Sequence, residues 1–454
     1  MVKIIEIDFK IELISLIEAK KNMNENIKLE NIKKMKHLKS LKRTLGPGIL
    51  FASTAIGVSH LVQSTKAGAL FGFGLLWAVI AANILKYPFF EFGSRYANAT
   101  GKSIIDGYLK LGRRVLWTYL IITIGSMFFV CAAVGKVTTG FMQNLFQLQD
   151  LGLGNIESTI LIFTICSLLL IIGKFKLLDQ LIKVIGIVLL TSTIIAFTLC
   201  LFNGPINNDI SLFNNISSNK KALLFLIPLM GWMPTAIDLS SWNSLWTVEK
   251  IKSSNYHPSL KETLFEFNFG YVVSALLSIC FLTMGAFLLF GTENTISNQS
   301  HLFANQVINL YTDVFGQWSY IIIASSTFSI MFGTCIAVFD GYGRALKRTL
   351  ELLSPSLISN NKLYNFNIII LIVGSFLIIW KYESSGDFSI LVNFATALSF
   401  IVAPIIAIFN YVIVKSQLEE PFKPPKWLEY LAILGIIFLI LFSILFLFQK
   451  YLIS

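Results

Sequence analysis

Charge is what this sequence has least of. Asp, Glu, Lys and Arg make up 13% of its 454 residues, against about 25% in an ordinary soluble domain. Hydrophobic residues make up 55%. A water-soluble fold of this length could not bury that much apolar surface, so lipid is the solvent for most of the chain. Histidine is scarce, with four in all, and the five cysteines (Cys131, Cys166, Cys200, Cys280, Cys335) lie inside apolar stretches without ligand-like spacing. That argues against a disulfide framework or a structural zinc site; these thiols behave as small hydrophobes. A nucleophile elbow, an HExxH pattern, a phosphate loop and paired acids are also missing, so neither enzyme chemistry nor a cofactor is expected. The apolar runs do not alternate with polar residues in short segments, as barrel strands would.

What is there is a series of long apolar runs, such as Thr159 to Gly173, Ile185 to Phe202 and Leu431 to Phe448. Each approaches or reaches the roughly 18 to 20 residues that cross a hydrocarbon core as a helix. Hydropathy therefore predicts an all-α polytopic membrane protein of about eleven spans, near 45–72, 74–94, 115–146, 157–173, 178–202, 221–247, 264–291, 317–346, 364–381, 386–414 and 427–451. Of the 36 Lys and Arg residues, 29 fall on the N-terminal side of the membrane under this assignment. The positive-inside rule then puts the N-terminus in the cytoplasm and the C-terminus outside, with a bacterial inner (plasma) membrane as the expected location. The net charge of +11 is thus a topology signal and needs no nucleic acid. The lipid bilayer is the expected partner; the oligomeric state is not written in the sequence.

Two spans are interrupted. The first carries Gly46-Pro47-Gly48 at its start and Gly57-Val58-Ser59-His60 at mid-depth; the sixth has Pro228 and then Gly231-Trp232-Met233-Pro234-Thr235. Proline removes a backbone donor and clashes with the preceding turn. Backbone groups opened this way in a bilayer need a partner, which a substrate can provide. The breaks lie five spans apart, an odd number, so the two units run in opposite directions. Interrupted helices at matching positions of inverted halves point to a midplane transport site.

At these residues the sequence resembles the Nramp (natural resistance-associated macrophage protein) family of divalent metal transporters. The resemblance lies in Leu45 to Trp77, with its GPG, AGA-x-FG and LLW segments, and in the Met233-Pro234 pair. It implies a LeuT-type fold of inverted five-helix repeats, with helices 1 and 6 broken at the midplane. The expected organisation is a cytoplasmic tail 1–44, repeats 45–202 and 221–414, and an added span 427–451. By that resemblance the substrate would be a divalent metal ion, with a small anion as the alternative. Family members carry Asp-Pro-Gly-Asn at the first break, where this chain has Gly57, Val58, Ser59 and His60, and Met-Pro-His at the second, where Thr235 replaces the histidine. The third-span acids used for proton movement are missing from Cys131 to Lys136. A divergent branch with an altered site and weak or no proton coupling is therefore expected. Gly57, Ser59, His60, Met230, Met233 and Thr235 are the candidate substrate-binding residues, and Asp238, Lys86, Lys136, Asn393 and Thr396 the candidates for pathway or coupling.

Two ligand chemistries fit this set. A soft cation could use the imidazole of His60 and the thioether of Met233, with backbone carbonyls from the breaks. Alternatively, half-helix N-termini aimed at the midplane suit a small anion such as bicarbonate, with Ser59, His60 and Thr235 as donors and Lys86 and Lys136 as buried cations. A sensor that binds without transporting is a third possibility. Bland roles are open as well: Lys86 could pair with Glu91, Lys136 with Asp340, and Asn393 could serve a helix-to-helix hydrogen bond. Glu266, Asp340 and Arg344, near cytoplasmic ends, read as snorkelling or gating ion pairs.

Overall fold

The computed structural model describes residues 46–207, 220–292, 297–357, 362–383 and 387–453, so the tail expected at 1–44 lies outside the described residues. Within them the fold is helical throughout, with no strand. The first span is two pieces. Helix α1 (Pro47–Ala55) starts with proline at its first position, where the missing N–H costs nothing, and stops at Ile56-Gly57. A π-helical stretch, Val58–Ser64, then leads into α2 (Thr65–Phe71). The chain continues as α3 (Leu76–Thr100), α4 (Ile104–Leu111), α5 (Arg113–Phe146) and α6 (Asn155–Asn203). The second break separates α7 (Lys220–Gly231) from α8 (Leu239–Ser254). There follow α9 (Leu260–Leu289), α10 (Ser300–Phe315), α11 (Tyr320–Leu353), α12 (Leu363–Tyr382), α13 (Phe388–Gln417) and α14 (Lys426–Ile453).

Among the described residues, eight helical segments are long and apolar enough to cross a membrane. The two broken spans and α3, which carries Lys86, Glu91 and Arg95, bring the number to the expected eleven. Helix α6 contributes two of these segments, Asn155–Gly173 and Lys183–Asn203. Cys166 lies beside Cys335 of α11, and Ser192 beside Ser326. A straight helix would separate Cys166 and Ser192 by about 39 Å, but their partners on α11 are only about 14 Å apart. The helical run therefore cannot be straight and bends sharply between its two apolar segments.

Helices α5 and α11 form the centre: the apolar windows within them are each 67% buried, against 22% for α14. Large apolar side chains such as Ile172, Phe202, Leu377, Leu434 and Leu447 are exposed on the periphery, as a lipid-facing surface requires. Small residues let the first span approach α9 closely. A Cβ on Gly68 would meet the backbone of Leu282 and Ala286, and one on Gly285 the backbone of Thr65, the packing expected where helices associate without a hydrophobic driving force. The start of α1 is held by the same helix. The Glu266 carboxylate accepts hydrogen bonds from the N–H groups of Gly46 (2.9 Å) and Gly48 (2.7 Å). Glu266 is thus a cap for helix donors that would otherwise be unpaired, in place of the gating or snorkelling role expected of it. All five cysteines are free.

Candidate functional site

Helix α7 ends at Gly231, and residues 232–238 are non-helical before α8 begins. The last carbonyls of a helix have no partner within it; here Met233 N–H reaches only the Met230 carbonyl, at 3.3 Å, and Pro234 has no N–H to offer. Lys86, from the middle of α3, fills that need. Its Nζ donates to the carbonyl oxygens of Met230 (2.8 Å), Gly231 (2.9 Å), Met233 (3.0 Å) and Thr235 (3.1 Å), and the residue is fully buried. The expected Lys86–Glu91 pair does not form. Glu91 instead pairs with Arg95, four residues along the same helix, because residues four apart share a helix face.

The first break is closed from another direction. Gly57 abuts Thr334 of α11: a Cβ at position 57 would lie 2.6 Å from Thr334 Oγ1 and 2.7 Å from its Cγ2. Thr334 Oγ1 stands 2.9 Å from the Ser53 carbonyl, 3.3 Å from that of Ile56 and 3.1 Å from its own Ile330 carbonyl. Its one proton is shared among acceptors that include the exposed end of α1. His60 faces α9, with Nε2 at 2.9 Å from the Ser274 carbonyl and Nδ1 at 2.7 Å from Ser59 Oγ. Both ring nitrogens are therefore engaged within the protein.

Between the breaks is a cavity of about 30 Å³, room for one or two waters. Its walls include Thr54, Ser59, Trp232, Thr235, Trp242, Thr334 and Tyr342, with valines of α5 behind them. Of the expected substrate-binding residues, the structure brings Ser59 and Thr235 to this cavity. His60, Met230 and Met233 are not on its wall; the two methionines are fully buried and contribute carbonyls to Lys86. Gly57 makes room for Thr334. No group of three or more His, Cys, Asp or Glu side chains suited to a metal ion occurs among the described residues.

The pathway candidates divide in the same way. Asp238 adjoins the cavity at the N-cap position of α8 and accepts a hydrogen bond from Tyr342 (3.1 Å). Thr396 lies with its backbone carbonyl against Gly231, and its hydroxyl turns back to Val392. Asn393 is exposed and reaches Gln63 at only 3.4 Å. Lys136 pairs with Glu383, not with Asp340, and Asn155 donates to the same carboxylate. Asp340 instead gathers Arg344, Trp246 and Tyr364. The residues that sequence reasoning missed are Thr334, Tyr342, Trp232 and Trp242. The two tryptophans stand within the polar stretch 231–247, which could have marked them, whereas Thr334 sits in an unremarkable span.

The helix poles at the cavity are unequal. The negative C-terminal ends of α1 and α7 are capped by Thr334 and Lys86. The positive N-terminal end of α8 has Asp238 beside it. The positive end of the Val58–Phe71 half-helix is left facing the cavity, where Val58 and Ser59 form part of the wall. Trp242 adds a buried indole N–H with no acceptor. Thr54, Ser59, Thr334 and Tyr342 spend their hydroxyl protons on carbonyls or on Asp238, so the Trp242 N–H is a donor left over at the wall.

A model of the natural resistance-associated macrophage protein-like family matches residues 48–449. The uncharacterized protein PM0681 of Pasteurella multocida is 32% identical over 410 residues, 89% of this chain and 92% of that protein. A divalent metal cation transporter, MntH, of Yersinia pestis is 30% identical over 86 residues, 18% of this chain and 21% of its own length. Among solved structures, the Eremococcus coleocola manganese transporter superposes with a TM-score of 0.67 at 13% identity, covering 89% of this chain and 85% of that one. Mhp1, a nucleobase-cation-symport-1 family transporter, superposes with a TM-score of 0.56 at 13% identity, over 89% and 93% of the two chains.

Proposed function

Since the chain belongs to the natural resistance-associated macrophage protein-like family, a family of membrane transporters, we propose that it is a secondary transporter whose central site takes a small anion such as bicarbonate. One observation carries this reading: among the described residues no carboxylate stands on the cavity wall, while an unpaired N–H and a positive helix end do. Trp242 has an unpaired N–H, and a half-helix presents its positive end, worth roughly 0.3–1 kcal/mol toward an anion and more where partly buried. A divalent cation would meet the Lys86 ammonium among the carbonyls it would need. Hard cations usually also require a carboxylate ligand, and the position that carries aspartate in the family is Gly57. The orientation belongs to the same proposal, with the start of α1 in the cytoplasm of a bacterial inner membrane. So does weak or absent proton coupling.

Likeness in fold to a manganese transporter favours a second reading, in which divalent metal is carried through an altered site. Flux into liposomes containing the purified protein separates the two. Labelled bicarbonate is expected to enter well above the protein-free rate, with manganese and magnesium at background. Manganese flux without anion flux would overturn the proposal, and binding without flux of any of the three would make the protein a sensor. Accumulation driven by an imposed proton gradient, beyond that in protein-free liposomes, would contradict weak coupling.

A further inference from the structure

We infer that the second helix break is a cation site whose permanent occupant is the chain's own Lys86 ammonium, so that removing the amine opens a site for a small monovalent cation. Four backbone carbonyls converge on Nζ at 2.8–3.1 Å. An ammonium has three N–H donors, so one of the four bonds must be shared; the oxygens form a cage around a charge. Two of them, from Met230 and Gly231, end α7, and two, from Met233 and Thr235, belong to the unwound segment. These are the groups that a broken helix exposes and that would otherwise need an ion or water.

Burying a lone ammonium is costly. The charge-assisted bonds to the cage offset that cost, as does the attraction of Asp238 through space. Among the described residues no carboxylate bonds to Nζ directly, which separates this arrangement from a structural ion pair. The tether also has a mechanical consequence. A free ion can leave a helix break during a transport cycle, whereas Lys86 joins the break to α3 throughout. The break and α3 then move as one body, and no ion has to bind or leave there.

The inference is independent of the solute carried, because its test reads stability. The full-length protein in detergent is melted in sodium, potassium, ammonium, propylammonium and tetramethylammonium chlorides. The parent is expected to show the same midpoint in all five salts. Lys86→Ala should melt at least about 5 °C lower in sodium and regain half or more of that loss in propylammonium, potassium or ammonium, with no recovery in tetramethylammonium, which is too large for the cage. Lys86→Met keeps the volume of the stem and leaves only the carbonyl end open. It should respond to potassium and ammonium but not to propylammonium. Parent-like midpoints in both variants, or equal shifts in every salt, would reduce Lys86 to a packing residue and overturn the inference. Failure of both variants to fold in potassium and ammonium as well as in sodium would overturn it too, since an open cation site would be filled by those ions.

Discussion

Placing aspartate at position 57 is expected to damage the protein without creating metal transport. The obstacle is Thr334, whose Oγ1 and Cγ2 would lie 2.6 and 2.7 Å from the new Cβ. Thr334 is β-branched, buried and tied to the carbonyls at the end of α1, so it cannot move aside without unpairing them. The new carboxylate would also be buried without a cation, and an uncompensated buried charge costs about 3–5 kcal/mol. Gly57→Asp is therefore expected to lower the thermal midpoint strongly and to leave manganese flux at background. The double variant Gly57→Asp/Thr334→Ala removes the clash and should recover part of the stability. A Gly57→Asp protein with the parental midpoint and measurable manganese flux would show that the first break can be refitted for metal without moving α11.

Glu266→Ala should be comparably severe, by a different route. The Glu266 carboxylate accepts from Gly46 N at 2.9 Å and Gly48 N at 2.7 and 2.8 Å, with Ile49 N at 3.4 Å. It stands at the positive end of α1, where a negative charge is favourable. Removing it leaves two or more buried N–H groups without acceptors, at about 1–3 kcal/mol each. Glu266→Gln keeps one acceptor oxygen but turns an amide NH₂ toward N–H donors, so it should rescue little. Thermal midpoints of the three proteins, with liposome flux alongside, test this. An alanine variant within a degree of the parent would mean that the start of α1 does not depend on α9.

Much of this was legible from the chain alone, and the residues show why. Pro228, Pro234 and the glycines at 46, 48 and 57 mark breaks because proline and glycine act on their own turn of backbone. The pairing of Glu91 with Arg95 was also open to a reading of helix spacing, since four residues apart is a shared face and the five between Lys86 and Glu91 is not. The direction of His60 was not. Its position at the break suggested a ligand, but the π-helical stretch Val58–Ser64 turns its ring toward Ser274. Thr334 gave no signal at all, because a threonine in an apolar span looks the same whether it bonds its own helix or closes a neighbouring one. Lys136 found Glu383 in place of Asp340, a choice made by where the end of α12 falls.

The sequence by itself determined the solvent, the number of spans, the position of both breaks and the family, since each is a property of composition or of a few neighbouring residues. Only the tertiary structure decided what fills the breaks. Lys86 and the carbonyl of Thr235 are 149 residues apart, and Gly57 and Thr334 meet across two separate helices. A freed carbonyl takes whichever donor the packing brings within about 3 Å, and no local pattern records which donor that is.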